Sequence, residues 1–311
     1  MRKNLLLTCL FAGTALSSCI RADLSDCQGH EPEPEETRQL IYFRYTGDGT
    51  SDLLADKIKF ADLYVFDENE QLVQSKGISA EELAATHGTT LQLPAGNYRL
   101  VCLANAGERT QTSDLGTGDI NNMYFAHPAY FTEDETSLTG NDPVYHGALT
   151  LQAEEGTSRD TIDFHASHLN VYLEIAGYDT MIAGRSASAP LSVTLENAPC
   201  RVFFDNRVCP STRTYHPELR KEGGQDLYIG QFNTYRLDEN HPMQVCLHNG
   251  GADPFYTLNV MEFVSTHPEI DLSKEEADLP IRIEFRGKDV NVSITVPKWD
   301  IEEVFPDIDF E

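Results

Sequence analysis

The sequence predicts an all-β protein with two β-sandwich domains that follow an amino-terminal leader and a short acidic tether. Three observations support this prediction. Apolar and polar residues alternate with a period of two, Gly, Asn and Asp separate the short apolar runs, and helix signals are scarce. Many short strands joined by regular turns are typical of antiparallel sandwiches.

The alternation is clearest in the second half of the chain. In residues 169–175, Leu169, Val171, Leu173 and Ile175 occupy every second position. Leu191, Val193 and Leu195 repeat this pattern, which is that of a strand with one buried face. Residues 281–285 and 290–296 alternate on either side of a turn at Gly287, which predicts a β-hairpin. Further strands are predicted at residues 39–45, 59–77, 89–105 and 147–153.

The clearest helix signal lies in residues 79–88. Ser79 and Glu82 have the spacing of a capping box, and Gly88 marks a stop. We therefore expect about two helical turns here.

The chain of 311 residues is long enough for two domains of ordinary size. The polar segment 153–159 divides two strand-rich halves. The predicted organisation is a leader at residues 1–18, a tether at 19–37, one sandwich at 38–157 and a second at 158–311.

The leader predicts export and lipidation. Arg2 and Lys3 precede a short apolar run that is too brief to span a bilayer as a helix. The run ends in Leu16-Ser17-Ser18-Cys19, which fits the bacterial lipobox. We expect cleavage after Ser18 and an N-palmitoyl, S-diacylglycerol cysteine at Cys19, whose acyl chains suffice for stable anchoring. Plain secretion, with Cys19 incidental, is the alternative.

Charge limits the partners. The formal net charge is −27, so the surface repels phosphates, and neither nucleic acid nor anionic lipid head groups are expected partners. Residues 28–38, QGHEPEPEETR, are polar and rich in Pro and Glu, which predicts an extended, self-repelling tether.

The cysteines suggest one disulfide. Of seven cysteines, Cys9 is lost with the leader and Cys19 carries lipid, which leaves an odd number. An oxidising compartment would allow a bridge between Cys200 and Cys209. Cys102 and Cys246 lie in apolar strand-like runs and are expected to be small buried hydrophobes.

No motif indicates an enzyme, and we expect no catalytic, cofactor or metal site. The chain has no HExxH, GxSxG, phosphate-binding loop or paired CxxC. His165 and His168 lie three residues apart at a strand start, which places them on opposite faces. Asp48 and Asp52 lie in a Gly-rich turn that lacks the further ligands of a calcium loop.

Several motifs together resemble the FimB/Mfa2 family of fimbrial anchor subunits from Bacteroidales. They are SCIRADLSDC directly after the leader, FADLYVFDENEQLV and LPAGNYRLVCLAN in the first half, and a terminal strand that closes with Trp299. The resemblance implies two tandem transthyretin-like Greek-key sandwiches. It also implies a lipoprotein of the outer membrane, exposed at the cell surface, that holds a fimbria to the cell.

The resemblance implies contacts with stalk or accessory subunits by strand addition. In stalk subunits of this superfamily a protease removes the amino-terminal segment and opens a groove, whereas an anchor should retain it. Residues 39–45 are apolar on both faces and are expected to form a buried first strand. Arg38 and Arg44 nevertheless offer trypsin-like cleavage sites, so processing stays open.

Two alternative roles remain at this point. One is a stalk or tip subunit of the same superfamily, and the other is a carbohydrate-binding surface lipoprotein. Carbohydrate sites usually present aromatic side chains, and the chain has one Trp but thirteen Tyr.

The lipobox generates the first prediction. Replacing Cys19 with Ala should release the protein into the soluble fraction, because the acyl chains are lost and no other segment is expected to span the membrane. Membrane fractionation after a high-salt wash measures the effect, with Cys27→Ala as the matched control. A Cys19→Ala protein that still sediments with washed membranes would contradict the prediction.

Overall fold

The computed structural model describes residues 36–113, 119–132, 138–183, 190–237, 241–287 and 289–295. The leader, Cys19, Cys27, nearly all of the tether and Trp299 lie outside the described residues.

The described chain is mostly β, in several sheets. Its nineteen strands are β1 (Glu36–Arg44), β2 (Ala61–Phe66), β3 (Leu72–Ile78), β4 (Gly88–Pro94), β5 (Gly96–Ala104), β6 (Gln111–Thr112), β7 (Tyr124–Ala126), β8 (Tyr145–Ala153), β9 (Thr157–Ala166), β10 (His168–Ala176), β11 (Ser192–Pro199), β12 (Arg201–Phe203), β13 (Thr212–Tyr215), β14 (Arg220–Lys221), β15 (Leu227–Tyr235), β16 (Gln244–His248), β17 (Tyr256–Asn259), β18 (Asp278–Arg286) and β19 (Asp289–Ile294). The short helices are α1 (Leu54–Lys57), α2 (Ala80–Thr86), α3 (Ala129–Thr132), α4 (Tyr178–Ile182) and α5 (Val260–Thr266), with a 3₁₀ turn at Ile120–Asn122.

The first half, residues 36–166, contains a seven-stranded sheet in the order β3-β2-β5-β8-β9-β1-β4. Strand β9 joins its two parts. Residues 157–163 pair with β1, and residues 164–166 pair with β8. At the point of separation a Cβ on Gly147 would lie 2.3 Å from Ile162 Cγ2, so only glycine fits there.

The second half, residues 168–295, repeats this topology. Its sheets have the orders β14-β15-β10-β18-β19 and β13-β11-β16-β17. Strand β10 pairs antiparallel with β15 and parallel with β18, as β1 pairs antiparallel with β4 and parallel with β9. Likewise β13-β11-β16-β17 corresponds to β3-β2-β5-β8. The two halves therefore share one strand order.

The division between the halves lies later than the boundary predicted at residues 157/158. Strand β9 begins at Thr157, yet it pairs with β1 and β8 of the first half. The polar segment before it is the turn of the β8–β9 hairpin. The first sheet thus extends to Ala166, and Ser167 links it to β10.

Two principal cores lie within the halves. The first contains inward side chains of β1, β2, β4, β5, β8 and β9, and the second those of β10, β11, β15, β16 and β18. Leu169, Val171, Leu173 and Ile175 are all buried in the second core, as their alternation predicts. Removing apolar side chains from water is the main force that stabilises such layers.

A third core holds the halves together. It covers the other face of β2 and β5 and consists of Tyr64, Phe66, Val101, Leu103, Ile120, Met123, Phe125, Val144, Val202, Phe204 and Tyr235. Above it lies a three-stranded sheet in which β7 of the first half pairs with β12 of the second. The described residues from Glu36 onward accordingly form one compact unit.

The local predictions are largely confirmed. Ser79 accepts a hydrogen bond from the Glu82 N–H at 3.2 Å and caps α2. The helix ends at Thr86, and its C-cap in the left-handed conformation is His87, one residue before Gly88. The hairpin at the carboxyl end is β18–β19. The first strand begins three residues earlier than predicted, at Glu36, so the tether is shorter than residues 19–37.

The third core generates a prediction about stability. Phe204 is fully buried, with ring centroids 5.2 Å from Tyr64 and 6.2 Å from Phe66. Phe204→Ala should lower the free energy of unfolding by about 3–5 kcal/mol, because it leaves a cavity. Urea unfolding followed by circular dichroism measures this. Phe60→Ala, at a side chain 38% exposed, is the control; equal midpoints for the two variants would show that the third core contributes little.

Candidate functional site

The first strand lies inside its sheet. Strand β1 pairs antiparallel with β4, from Glu36 opposite Pro94 to Tyr42 opposite Gly88, and parallel with β9, from Arg38 opposite Thr157 to Arg44 opposite Asp163. Both of its backbone edges are therefore hydrogen-bonded. The groove that an added strand could enter at this position is already filled by the chain's own β1.

Strand β1 has one buried face, not two. Thr37, Gln39, Ile41, Phe43 and Tyr45 are buried, whereas the intervening side chains are exposed or half-buried. The first strand is therefore buried within its sheet, as predicted, but the apolar side chains of Leu40 and Tyr42 point outward, where they are only partly covered.

The two buried polar side chains of β1 are satisfied. Thr37 Oγ1 donates to the Leu93 carbonyl at 3.0 Å, and Gln39 Nε2 donates to Thr37 Oγ1 at 2.6 Å. The Gln39 side-chain oxygen accepts from the Ser158 hydroxyl. Satisfied groups avoid the cost of burying unpaired polar atoms.

Gly88 permits the close approach of β4 to β1. A Cβ at this position would lie 2.0 Å from the Ile41 carbonyl oxygen. Any larger residue would push the strands apart. The glycine that the sequence suggested as a helix stop thus serves the packing of the first strand.

A carboxylate of the second half holds the end of β1. Glu276 accepts hydrogen bonds from the Tyr45 hydroxyl and, at 3.0 Å, from the Tyr145 hydroxyl. Its other oxygen lies 2.9 Å from Lys57 Nζ. Glu276 therefore joins the segments that follow β1, begin β8 and close α1.

These contacts determine the ionisation state of the Glu276 carboxyl group. Burial alone would raise the pKa of Glu276, but the hydrogen bonds from Tyr45, Lys57 and Tyr145 and the Lys57 charge together hold that pKa below its usual value. Burial and the neighbouring Glu276 carboxylate raise the pKa of Tyr45 and of Tyr145, so both keep their protons. The cluster therefore consists of a charged Glu276 carboxylate that accepts hydrogen bonds and of protonated donor side chains around it.

Arg38 and Arg44 lie within the paired strand. The Arg38 N–H donates to the Gly156 carbonyl at 2.9 Å. The Arg44 guanidinium contacts both Asp163 oxygens, at 2.5 and 2.8 Å, with exposed side chains. A protease needs the backbone unpaired around the scissile bond, so neither site is open in the folded chain.

Besides the outer edges of β3 and β4 at the two ends of the sheet, a further strand edge of the first half has no partner strand among the described residues. In the described residues, the outer edge of β9 at 157–163 has no pairing, whereas the outer edge of β18, its counterpart, is covered by β19. Unpaired strand edges can accept a strand from another protein.

The predicted disulfide is not formed in the structure. Cys200 and Cys209 are both free thiols. Cys200 Sγ donates to the Ser211 carbonyl at 3.2 Å, and Cys209 Sγ accepts from Arg201 Nε at 2.8 Å. Cys102 and Cys246 are buried, as predicted.

The candidate ligand residues serve structural roles. His165 is exposed and pairs with Glu275 at 2.7 Å, while His168 is buried and lies 3.1 Å from the Val144 carbonyl. Asp48 accepts a hydrogen bond from the Glu275 N–H at 3.0 Å, and Asp52 Oδ1 accepts one from the Leu54 N–H at 2.9 Å. No group of three or more His, Cys, Asp or Glu that could hold a metal occurs among the described residues.

No sequence motif singles out Glu275 and Glu276. They lie in an acidic loop, and their partners are more than a hundred residues away.

Among the residues that the structure describes, no helix is long and apolar enough to cross a membrane.

Comparison with known proteins decides the family. The family model for fimbrillin-A associated anchor proteins Mfa1 and Mfa2 matches residues 24–305. The chain belongs to this anchor family. The resemblance drawn from its motifs is thereby confirmed, and the family is one of structural fimbrial anchors, not of enzymes.

Individual relatives of the anchor family are distant. The chain is 20% identical over 304 residues to the major fimbrium anchoring subunit FimB of Porphyromonas gingivalis, covering 95% of each chain. It is similar to the fimbrial anchor protein Mfa2 of Porphyromonas gingivalis, with TM-score 0.60, 12% identity and coverage of 80% of this chain and 90% of that one. A putative adhesin from Bacteroides ovatus gives TM-score 0.66, 15% identity and coverages of 86% and 94%.

The Glu276 cluster generates a prediction about pH. A carboxyl whose pKa is lower in the folded state adds stability above its unfolded pKa, and this is lost as the pH falls through the folded pKa. Wild-type protein should therefore lose more unfolding free energy between pH 6 and pH 3 than Glu276→Gln does. Urea unfolding across that range, with Glu68→Gln in an exposed turn as control, measures the difference. Parallel pH profiles for wild type and Glu276→Gln would contradict it.

Proposed function

We propose that this protein is an outer-membrane lipoprotein, lipidated at Cys19, that anchors a fimbria to the cell and ends the growth of its stalk. The observation that carries the proposal is the first strand, which is paired on both sides and held at its end by Glu276. Membership of the anchor family supports it.

Termination follows from the filled groove. A subunit that polymerises by strand addition must offer an open position to the next subunit. Here β1 occupies that position through seven residue pairs with β4 and seven with β9. A stalk subunit would have to lose β1, yet Arg38 and Arg44 lie inside the paired strand. This favours an anchor over a stalk or tip subunit.

The docking contact would then use another edge. The outer edge of β9 at residues 157–163 is the candidate, because its counterpart β18 carries β19 there. The Arg38 N–H bonds to the Gly156 carbonyl, so in the parallel ladder the N–H groups of Arg159 and Thr161 point away from β1. Within the described residues these N–H groups face no partner strand, and we propose that they receive a strand of the stalk.

We also propose that the two halves are tandem transthyretin-like Greek-key sandwiches. The strand order that both halves repeat supports this description of the fold. The net charge of −27 disfavours direct contact with anionic lipid. The acyl chains on Cys19 would supply the attachment while the acidic tether lifts the body from the surface.

Electron microscopy of fimbriae on a strain that lacks the gene tests the proposal. We expect longer fimbriae that are shed into the medium, because the anchor and the terminator are lost together. Wild-type protein and Thr161→Ala should restore length and attachment. Thr161→Pro should not restore attachment, because proline removes the outward N–H, although edge strands tolerate proline.

Each outcome separates one part of the proposal. Normal length and attachment in the deletion strain would exclude the anchor role. If the deletion strain shed fimbriae of normal length, the protein would still be an anchor, but a role in ending stalk growth would be excluded. Attachment restored by Thr161→Pro, present at wild-type level on the cell and with an unchanged unfolding midpoint, would exclude the β9 edge as the docking contact.

A further inference from the structure

A cleft lies between the two halves of the chain. It has a volume of about 430 Å³, within the roughly 300–1,000 Å³ typical of small-molecule sites. Its floor is the outward face of β10, β15 and β18, and its walls include Asp56 and Lys57 of α1 and Tyr145 of β8. We propose that this cleft binds the terminal unit of a neutral saccharide.

The floor is an ordered grid of polar side chains. In one cross-strand row Asn233 of β15 lies opposite Asn170 of β10, which lies opposite Asp278 of β18. In the next row on this face, Gln231 lies opposite Tyr172. Neighbouring strands are about 4.8 Å apart, so the amide and carboxylate groups form a compact set of donors and acceptors.

Much of their hydrogen-bonding capacity is unused. Asn170 Nδ2 donates to Asp278 Oδ1 at 3.0 Å, which leaves the Asn170 oxygen and the second Asp278 oxygen as acceptors. Across the described parts of the chain, the side chains of Gln231 and Asn233 make no hydrogen bond. An amide offers two donors and an acceptor. Adjacent sugar hydroxyls, each both donor and acceptor, match such a set.

Charge selects against anionic sugars. Asp56, Glu276 and Asp278 line the cleft, and the single lysine there, Lys57, is paired with Glu276 at 2.9 Å. A sialic or uronic acid would meet net negative charge at short range, which is unfavourable.

Other occupants fit less well. Both edges of β10 are paired, so a peptide could not add here as a strand. The described residues hold no group suited to a metal ion. A phosphorylated ligand would meet the same three carboxylates. A neutral, hydroxyl-rich ligand is the class that the lining recognises.

Binding of the full chain, purified in detergent, to arrayed oligosaccharides tests the proposal. The array carries chains ending in glucose, galactose, mannose or N-acetylglucosamine, together with sialylated chains. We expect binding to at least one neutral terminus and none to the sialylated set. The variant Gln231→Ala/Asn233→Ala should bind at least tenfold more weakly, since the loss of a few hydrogen bonds has this effect.

The control variant removes the same two types of amide side chain at a site away from the cleft. Gln92→Ala/Asn97→Ala removes two exposed amides of β4 and β5 and should bind like wild type. Equal unfolding midpoints for the variants show that the fold is intact. No binding to any neutral terminus at millimolar concentration, a preference for sialylated chains, or unchanged affinity of Gln231→Ala/Asn233→Ala would each overturn the proposal.

Discussion

Each half of the molecule is closed by the parallel pairing of its first strand with a strand near its carboxyl end. In the first half β1 pairs with β9, and in the second β10 pairs with β18. A parallel pair brings together residues that are far apart in sequence, so the half can close only after every strand between them is in place. Since β1 also pairs with β4, the first strand contacts both neighbours and cannot leave without opening the core beneath Ile41 and Phe43.

The halves behave as one body because two different interactions join them. The third core buries aromatic side chains such as Phe125 and Phe204, which is a non-directional force. The Glu276 cluster is directional, because one carboxylate accepts hydrogen bonds from Tyr45, Tyr145 and Lys57 of the first half. The third core fixes the distance between the halves, and the Glu276 cluster fixes their register. A load applied to one half is thus passed to the other.

Local sequence patterns predicted the strands well. The predictions that differ from the structure are those that depend on pairing between residues far apart in sequence. The alternation in residues 169–175 and 281–294 depends only on neighbouring residues, so it was visible in the sequence. The boundary at residues 157/158 was misplaced because the turn before β9 resembles an interdomain linker, and only the pairing with β1 shows otherwise. The Tyr45–Glu276 contact spans 231 positions, and no local signal marks either residue. Gly88 was assigned to a helix end because its contact with Ile41 is likewise remote.

Geometry also suits the proposed anchor to mechanical load. The described chain enters the sheet at Glu36, the first residue of β1. In the proposed anchor a pull on the lipidated tether would act along this strand, so the ladders to β4 and β9 would be loaded in shear and their seven residue pairs on each side would share the force. Pulling at the edge of a sheet would break the same bonds one after another. Resistance to forced opening is governed by the unfolding rate, and a central first strand with a locked end raises that barrier. In the proposed anchor, the arrangement that would deny the groove to another subunit would therefore also strengthen the attachment.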